Sequence, residues 1–196
     1  MSDTSPLILA FDTSGPYCAA ALMQGAKVLA SAYDPMKRGQ AEHLMTMLER
    51  VLNDANTQWN DLSAIGVGVG PGNFTGIRIS VSAARGLALG LAIPAVGVST
   101  FQALSLDHSD PHIAAVPAPR DQLYVLHPDT PSPMLAAPPH AFDLPIHLPP
   151  SPDQLVVNIA RYAATGYTKS PVRPAPLYIK PADAAPPRDP APVIFE

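Results

Sequence analysis

Glycine and proline divide this chain into two halves of different character. Eleven of the 12 glycines lie within residues 15–97, whereas 20 of the 25 prolines lie within residues 111–192. Proline has no backbone N–H and interrupts helices and central strands, so the second half is unsuited to long regular elements. We therefore predict a division near residue 105, followed by a small, loop-rich lobe. The longest proline-free stretch of that lobe with a helical pattern, Asp153 to Ala164, is its candidate helix.

The composition restricts the classes of function. With 12 Lys and Arg against 16 Asp and Glu, the net charge of −4 excludes a nucleic-acid binder driven by net positive charge. The single cysteine, Cys18, allows no intrachain disulfide and no cysteine-rich zinc site, which is typical of an intracellular protein. No stretch contains the ~20 apolar residues that a membrane span needs. We expect a cytoplasmic protein without a membrane anchor.

The first half alternates strand and helix patterns. Short apolar runs bounded by turn residues predict strands at Leu7–Phe11, Cys18–Met23, Lys27–Tyr33, Ser63–Val69 and Ala95–Val98. Helical periodicity predicts a helix at Gln40–Ala55 and a second at Gly76–Leu91 that Thr75 caps. The resulting order, β-β-β-α-β-α-β, resembles the N-terminal lobe of the actin-like ATPase (ASKHA, ribonuclease H-like) fold.

Two turns at strand ends are candidates for binding phosphate. Asp12, Thr13 and Ser14 follow the first strand, where an actin-like ATPase places a carboxylate near Mg²⁺ and hydroxyls near phosphate. Gly72 and Thr75 belong to the glycine-rich turn before the second helix, where backbone amides can cradle an anion. The alternative for both turns is structural, as a self-bonded polar turn and a tight strand-to-helix connection. We favour the structural interpretation and expect no cofactor.

The glycine-rich turn also carries a family resemblance. The residues from Gly70 to Ile79, GPGNFTGIRI, closely resemble the GPGSFTGLRIG motif of the TsaB (YeaZ) family, with Asn73 where serine is common. The LAFDTS segment ending at Ser14 and the residues 86–90 and 97–100 also match in order and spacing. The resemblance covers residues 7–105 well, and it implies a complete N-terminal lobe of the actin-like fold.

The second half resembles the family poorly. Residues 117–124 stand where the family has an Asp-Ala-Arg-x-x-x-Val-Tyr segment, with proline in place of the acid and of the first basic residue. Residues 176–181 are similar to the terminal Pro-x-Tyr-x-Arg segment of the family. We therefore expect two domains, an N-terminal lobe at 1–105 and a reduced, proline-rich C-terminal lobe at 106–196.

The resemblance implies a function in tRNA modification. TsaB proteins are partners of TsaD, which installs threonylcarbamoyl on N6 of adenosine 37 in tRNAs that read ANN codons, and TsaE is the associated ATPase. TsaB itself is regarded as a catalytically silent scaffold that forms homodimers when alone. By resemblance, this chain is expected to bind TsaD and TsaE, to reach tRNA through their complex and to contain no catalytic residue.

Two other functions stay open as alternatives, an autonomous actin-like ATPase or kinase and a metal-dependent glycopeptidase. TsaD-like enzymes take a metal-binding histidine pair from the region of the first helix, and one helical face requires i, i+3 or i+4 spacing for such a pair. Here Gln40 and Met47 occupy the positions around His43. One histidine cannot form that site, so no metal is expected.

The resemblance also places the first two helices at the dimer surface. In the second helix, Ala83, Gly86 and Gly90 form a strip of small residues that permits close approach by another backbone, from a partner or from the chain's own sheet. The other candidate interface residues are Leu44, Met45, Leu48 and Arg78. We hypothesise a four-helix contact with TsaD, or with a second copy when TsaD is absent.

Overall fold

Strands and helices of this protein occupy both halves of the chain. The structure is a computed structural model, and it describes residues 5–136, 142–169 and 171–179. The strands are β1 (Leu7–Asp12), β2 (Tyr17–Gln24), β3 (Lys27–Pro35), β4 (Ala64–Gly68), β5 (Ala95–Val98), β6 (Ile113–Ala118), β7 (Gln122–Leu126), β8 (Met134–Ala136) and β9 (Ile146–His147). The helices are α1 (Gln40–Asp54), α2 (Phe74–Leu91), α3 (Thr100–Ser105) and α4 (Pro152–Gly166), with a 3₁₀ turn at Trp59–Asp61.

The first sheet has the order β3-β2-β1-β4-β5. Strands β1, β2 and β3 form an antiparallel meander, because a two-residue turn at Gly25 joins β2 directly to β3. Strands β4 and β5 run parallel to β1, and α1 and α2 supply the crossovers that parallel strands require. This arrangement confirms the α/β fold and the β-β-β-α-β-α-β order predicted from the sequence.

Both faces of the first sheet are buried. Leu9 and Phe11 belong to the core under α1 and α2, whereas Ile8 and Ala10 face the opposite way and pack with α4. A strand covered on both faces reads as a continuous apolar run, which is why no polar alternation marks β1 in the sequence. Helix α4 comes from the proline-rich half, so that half completes the core of the first.

Small residues allow α4 to lie close to this sheet. A methyl group added at Gly66 of β4 would stand 3.1 Å from the Cβ atom of Ala163. Ala160 and Ala163 of the helix are almost fully buried against the strands. The candidate helix at 153–164 is confirmed, and Pro152 precedes it at the first helical turn, where a missing N–H costs nothing.

The second sheet was not located by the sequence analysis. Its order is β8-β7-β6-β9, and its strands are only two to six residues long. Pro117 is tolerated because it is exposed near the end of β6, opposite Leu123 of β7. Among the described residues, no helix is both long and apolar enough to cross a membrane.

Helix α2 begins two residues earlier than predicted, and its cap is a different residue. Asn73 has the extended backbone of an N-cap, and its side-chain oxygen accepts a 2.8 Å hydrogen bond from the Gly76 amide. The predicted cap, Thr75, therefore lies inside the first turn. Asparagine ranks above threonine at this position, and the prediction overlooked it.

We predict that Asn73→Ala lowers the free energy of unfolding by about 1 kcal/mol, because the Gly76 amide loses its acceptor. Urea unfolding followed by circular dichroism measures the change. Asn73→Ser is the matched control, since serine also caps helices and should retain most of the stability. Equal stability of parent and Asn73→Ala would show that this cap contributes nothing.

Candidate functional site

The two turns predicted as phosphate candidates lie against each other. They follow β1 and β4, which are adjacent and parallel, so their carboxyl ends meet at one edge of the sheet. The Asn73 amide donates a 2.6 Å hydrogen bond to the carbonyl oxygen of Ser14, and the Thr13 hydroxyl donates one of 2.6 Å to the carbonyl of Gly76. The polar groups of the two turns therefore bind one another.

Asp12 is held inside this junction. Its side chain is almost fully buried, and its two carboxylate oxygens accept hydrogen bonds from the Ser14 amide, the Ser14 hydroxyl and the Tyr17 hydroxyl, at 3.2, 2.8 and 2.6 Å. Burial raises the pKa of Asp12, and the hydrogen bonds from Tyr17 and Ser14 offset part of that rise. Burial and the nearby Asp12 charge also raise the pKa of Tyr17. The carboxylate that an ATPase would use for Mg²⁺ is thus bonded within the chain.

The glycines of the second turn are required by this packing. A Cβ atom at Gly68 would overlap the Asp12 carboxylate, one at Gly72 would overlap the Ser14 carbonyl, and one at Gly76 would overlap the Thr13 carbonyl. Carbonyl oxygens are hydrogen-bond acceptors, and a phosphate group needs donors. The geometry at Gly72 is therefore that of a tight structural connection.

A cleft of about 1080 Å³ opens beside the junction. Its walls include the two turns, the β6–β7 turn, the start of α4 and the segment 177–179. Lys37 and Arg120 are the charged residues among the described lining, and the aromatic residues are Tyr17, Phe74, Tyr124 and Tyr178. That described lining contains no carboxylate, histidine or cysteine. The cleft is suited to contact an anionic or planar group, and its lining provides no acid–base pair.

Sequence reasoning missed a contact that ties the C-terminal segment to α2. The Arg78 Nε atom donates a 2.9 Å hydrogen bond to the Tyr178 hydroxyl, and the guanidinium carbon lies 3.9 Å from the centre of the Phe74 ring. The Phe74 and Tyr178 rings stack at 4.6 Å. About two turns of helix further along the same side, Arg85 donates a 2.7 Å hydrogen bond to the Pro174 carbonyl. Arg78, predicted as an interface residue, makes its described contacts within the chain.

Two other predicted interface residues lie in the core. Leu44 is 1% exposed and Leu48 is fully buried, because both point from α1 onto the first sheet. Neither side chain reaches the surface, so assigning them to a partner contact was wrong. Met45, on the outer side of the same helix, is 39% exposed.

The small-residue strip of α2 is open. A Cβ atom added at Gly86 or at Gly90 would meet none of the described residues within 4 Å, so the first sheet does not fill the space above these glycines. Leu89, between them, is 84% exposed, and Ala83 is half-buried at the edge of the core. With Met45 of α1, these residues form a surface that we call the α1–α2 surface.

His43 takes part in a surface ion pair. Its Nε2 atom lies 2.7 Å from a carboxylate oxygen of Asp34, and Arg50 lies 3.0 Å from the same oxygen. The hydrogen bond from His43 and the charge of Arg50 lower the pKa of Asp34. In the part of the chain that the structure describes, no group of three or more His, Cys, Asp or Glu is placed to hold a metal ion.

We predict that Asp12 makes the fold more stable as the pH falls from neutral. Its pKa in the native state is above the ordinary value of 3.8. At pH values between the ordinary pKa and the higher native-state pKa, the native state holds more protons than the unfolded state. The free energy of unfolding therefore rises on acidification. Asp12→Asn should remove this contribution. Urea unfolding at about pH 7 and about pH 4.5 measures the difference between parent and variant. An identical pH dependence of the two proteins would contradict the prediction.

Comparisons with known proteins agree with this fold. The model of one family, described as TsaD, tRNA N6-adenosine threonylcarbamoyltransferase, matches residues 28–173, about three quarters of the chain. A YeaZ structure from Pseudomonas aeruginosa superimposes with a TM-score of 0.68 at 24% identity, covering 88% of this chain and 99% of that one. A second structure from Pseudomonas aeruginosa, a protein with similarity to peptidase YeaZ, gives a TM-score of 0.73 at 23% identity, over 89% and 100% of the two chains. These two structures support the fold alone.

Relatives found by sequence comparison indicate which members of this family the chain resembles. The tRNA threonylcarbamoyladenosine biosynthesis protein TsaB of Escherichia coli is 37% identical over 98 residues, which is 50% of this chain and 42% of that protein. The chain spans about half the length of the TsaB proteins that it matches. An uncharacterised protein of Mycobacterium tuberculosis is 31% identical over 91% of this chain and 94% of its own length. The chain therefore belongs to the TsaB (YeaZ) group within the family of TsaD-type proteins.

Proposed function

We propose that this chain is a non-catalytic partner subunit in the threonylcarbamoylation of tRNA. In this role it binds a TsaD-type transferase, which modifies N6 of adenosine 37 in tRNAs that read ANN codons. The names of the TsaB relatives support the pathway. The observation that carries the partner role is the open α1–α2 surface, where a Cβ atom added at Gly86 or Gly90 would meet none of the described residues within 4 Å.

The energetics of α2 support a partner at this surface. Each glycine in a helix interior costs up to ~1 kcal/mol relative to alanine. Among the residues that the structure describes, no neighbour fills the space left by the missing side chains at Gly86 and Gly90. A second helix packed across the strip would make contacts that offset this cost, since small residues let helix axes approach closely. The exposed Leu89 and Met45 would lose water in the same contact.

The junction around Asp12 supports a role without catalysis. The carboxylate is bonded to Ser14 and Tyr17, and the Asn73 amide donates to the Ser14 carbonyl, so polar groups of the two turns are occupied within the chain. The described lining of the neighbouring cleft has no carboxylate, histidine or thiol that would serve as general acid, base or nucleophile. The only cysteine, Cys18, is buried, and burial raises the pKa of its thiol to about 11.

The remaining parts of the proposal come from the family resemblance. In the absence of TsaD, the α1–α2 surface would join two copies of this chain in a homodimer. TsaE would bind the assembled complex, tRNA would be reached through that complex, and the location would be the cytoplasm. We propose that the lobe at 1–105 carries the partner surface, and that the lobe at 106–196 contributes α4 and the segment 171–179 that brace it.

We predict that Gly86→Leu weakens binding to a TsaD-type transferase by about tenfold or more, because a side chain in a close helix contact costs ~1–3 kcal/mol. The free chain should remain at least as stable as the parent, since leucine favours a helix and finds open space there. Met45→Glu should weaken binding as well. Isothermal titration calorimetry measures binding, and urea unfolding measures the stability of the free chain.

The matched control is Met134→Glu. Met134 is 49% exposed on β8 of the second sheet, so it presents the same substitution on a comparably exposed methionine away from α1 and α2. Binding by this variant should equal that of the parent. If Gly86→Leu and Met45→Glu also bind and self-associate as tightly as the parent, the partner surface lies elsewhere.

We also predict that the isolated chain is catalytically inert, because its junction and cleft lack an available catalytic group. Incubated alone with ATP, Mg²⁺, the threonylcarbamoyl donor and tRNA, it should give no more product than a heat-killed sample. Modified nucleoside is measured by mass spectrometry and phosphate release by a colorimetric assay. Hydrolysis of ATP by the chain alone would instead support an autonomous ATPase.

A further inference from the structure

Three histidines meet at the outer edge of the second sheet. His108 and His112 lie in the segment between α3 and β6, and His147 is the last residue of β9. The centre of the His147 ring is 3.9 Å from that of His108 and 4.7 Å from that of His112, and the last two are 5.3 Å apart. The rings border a cavity of about 220 Å³. Two histidines four residues apart and a third from a different strand therefore share one contact.

Hydrogen bonds hold one of the three rings in a fixed orientation. The Nδ1 atom of His112 lies 2.8 Å from the carbonyl oxygen of Asp110, which can only accept, so Nδ1 carries the proton. Its Nε2 atom lies 2.8 Å from the Ser105 hydroxyl, which donates to the neutral ring. A second proton on His112 would force that hydroxyl to turn. The rings of His108 and His147 have no hydrogen-bond partner among the described residues.

We call His108, His112 and His147 the trio. The charged groups around it offer little compensation for the positive charge that protonation would add. Asp107 faces the cavity but is paired with Arg161 of α4 at 2.8 Å. Asp143, which precedes β9, pairs with His127 at 3.3 Å. Asp110 is the other carboxylate at the cavity, and it is exposed to water. The pKa of His147 is lowered mainly by loss of water around its ring, and further by the neighbouring His108 and His112.

The trio spans a weak junction of the sheet. Strand β9 has only two residues, and it pairs with β6 through the positions Ile113 to Ile146 and Ala114 to His147. The Ile113 amide donates a 2.8 Å hydrogen bond to the Pro145 carbonyl. The chain continues from β9 into residues 149–152, where Pro149, Pro150 and Pro152 line the large cleft. The junction is therefore joined by a short stretch of chain to one wall of the cleft.

We propose that the three histidines make the junction of β9 with β6 sensitive to acid, closed while the rings are neutral and loosened as they gain protons. Like charges on rings in contact repel each other, and separating β9 from the 108–112 segment relieves the repulsion. The open state then holds more protons than the closed state near the ordinary histidine pKa of 6.5. Because the state with more bound protons is favoured as the pH falls, acidification through this range shifts the equilibrium towards opening.

Hydrogen exchange of the Ile113 amide tests the proposal on the full chain. Exchange is followed by NMR at about pH 7.5 and about pH 5.5, and the rates are corrected for the pH dependence of exchange in unstructured peptides. Protection of the Ile113 amide in the parent should fall by about threefold or more at the lower pH. His147→Gln keeps a polar side chain that does not titrate, so its protection should not change with pH. His108→Gln, at an exposed position, should behave in the same way and keeps the test valid if His147→Gln does not fold.

The matched control is His127→Gln on β7, which removes a histidine of the same sheet outside the trio. His127 lies near Asp129 and Asp143, at 3.8 and 3.3 Å, rather than among the three rings, so its loss should leave the acid effect in place. Constant protection of Ile113 in the parent at both pH values would overturn the proposal. An equal loss of protection at the lower pH in the parent, His147→Gln and His108→Gln would also overturn it.

Discussion

The contact between the turns that follow β1 and β4 determines much of this structure. The carbonyl groups of Thr13 and Ser14 lie so close to Gly76 and Gly72 that neither glycine could carry a side chain. The buried Asp12 is bonded inside the same junction. Helix α2 starts in this junction, so its direction across the sheet follows from it. The direction of α2 in turn sets the positions of the α1–α2 surface and of one wall of the cleft.

The proline-rich half supports the first half from two sides. Helix α4 covers the face of the first sheet that α1 and α2 leave open, through small residues such as Ala160 and Ala163. On the other side, Arg78 of α2 donates a hydrogen bond to the Tyr178 hydroxyl, and Arg85 donates one to the Pro174 carbonyl. The Leu177 amide also donates a 2.8 Å hydrogen bond to the Val69 carbonyl. These contacts fix the inner side and the N-terminal end of α2, and among the described residues none covers its outer side at Gly86 and Gly90.

The sequence predicts the first sheet well because its signals are local. Strands β1 to β5 and helices α1 and α2 follow from periodicity and turn residues, and the motif at Gly70–Gly76 identifies the family. Contacts between distant residues leave no such signal. Phe74 and Tyr178 stack across 104 positions of sequence. Leu44 was assigned to a partner contact by the family resemblance, whereas its helical spacing with Leu48 and Val51 is that of a buried face. The short strands of the second sheet were not predicted, because prolines at or near their ends interrupt the sequence pattern of a strand.

The central claim, that this chain is the subunit a TsaD-type transferase needs, is tested most directly in cells. A bacterial strain depleted of its own TsaB would receive this chain together with the TsaD-type transferase of the same source. The content of N6-threonylcarbamoyladenosine in total tRNA is then measured by liquid chromatography and mass spectrometry. The account predicts that the modification returns only when both proteins are supplied. Modification that stays at the depleted level while both proteins are present, or that returns with the transferase alone, would contradict it.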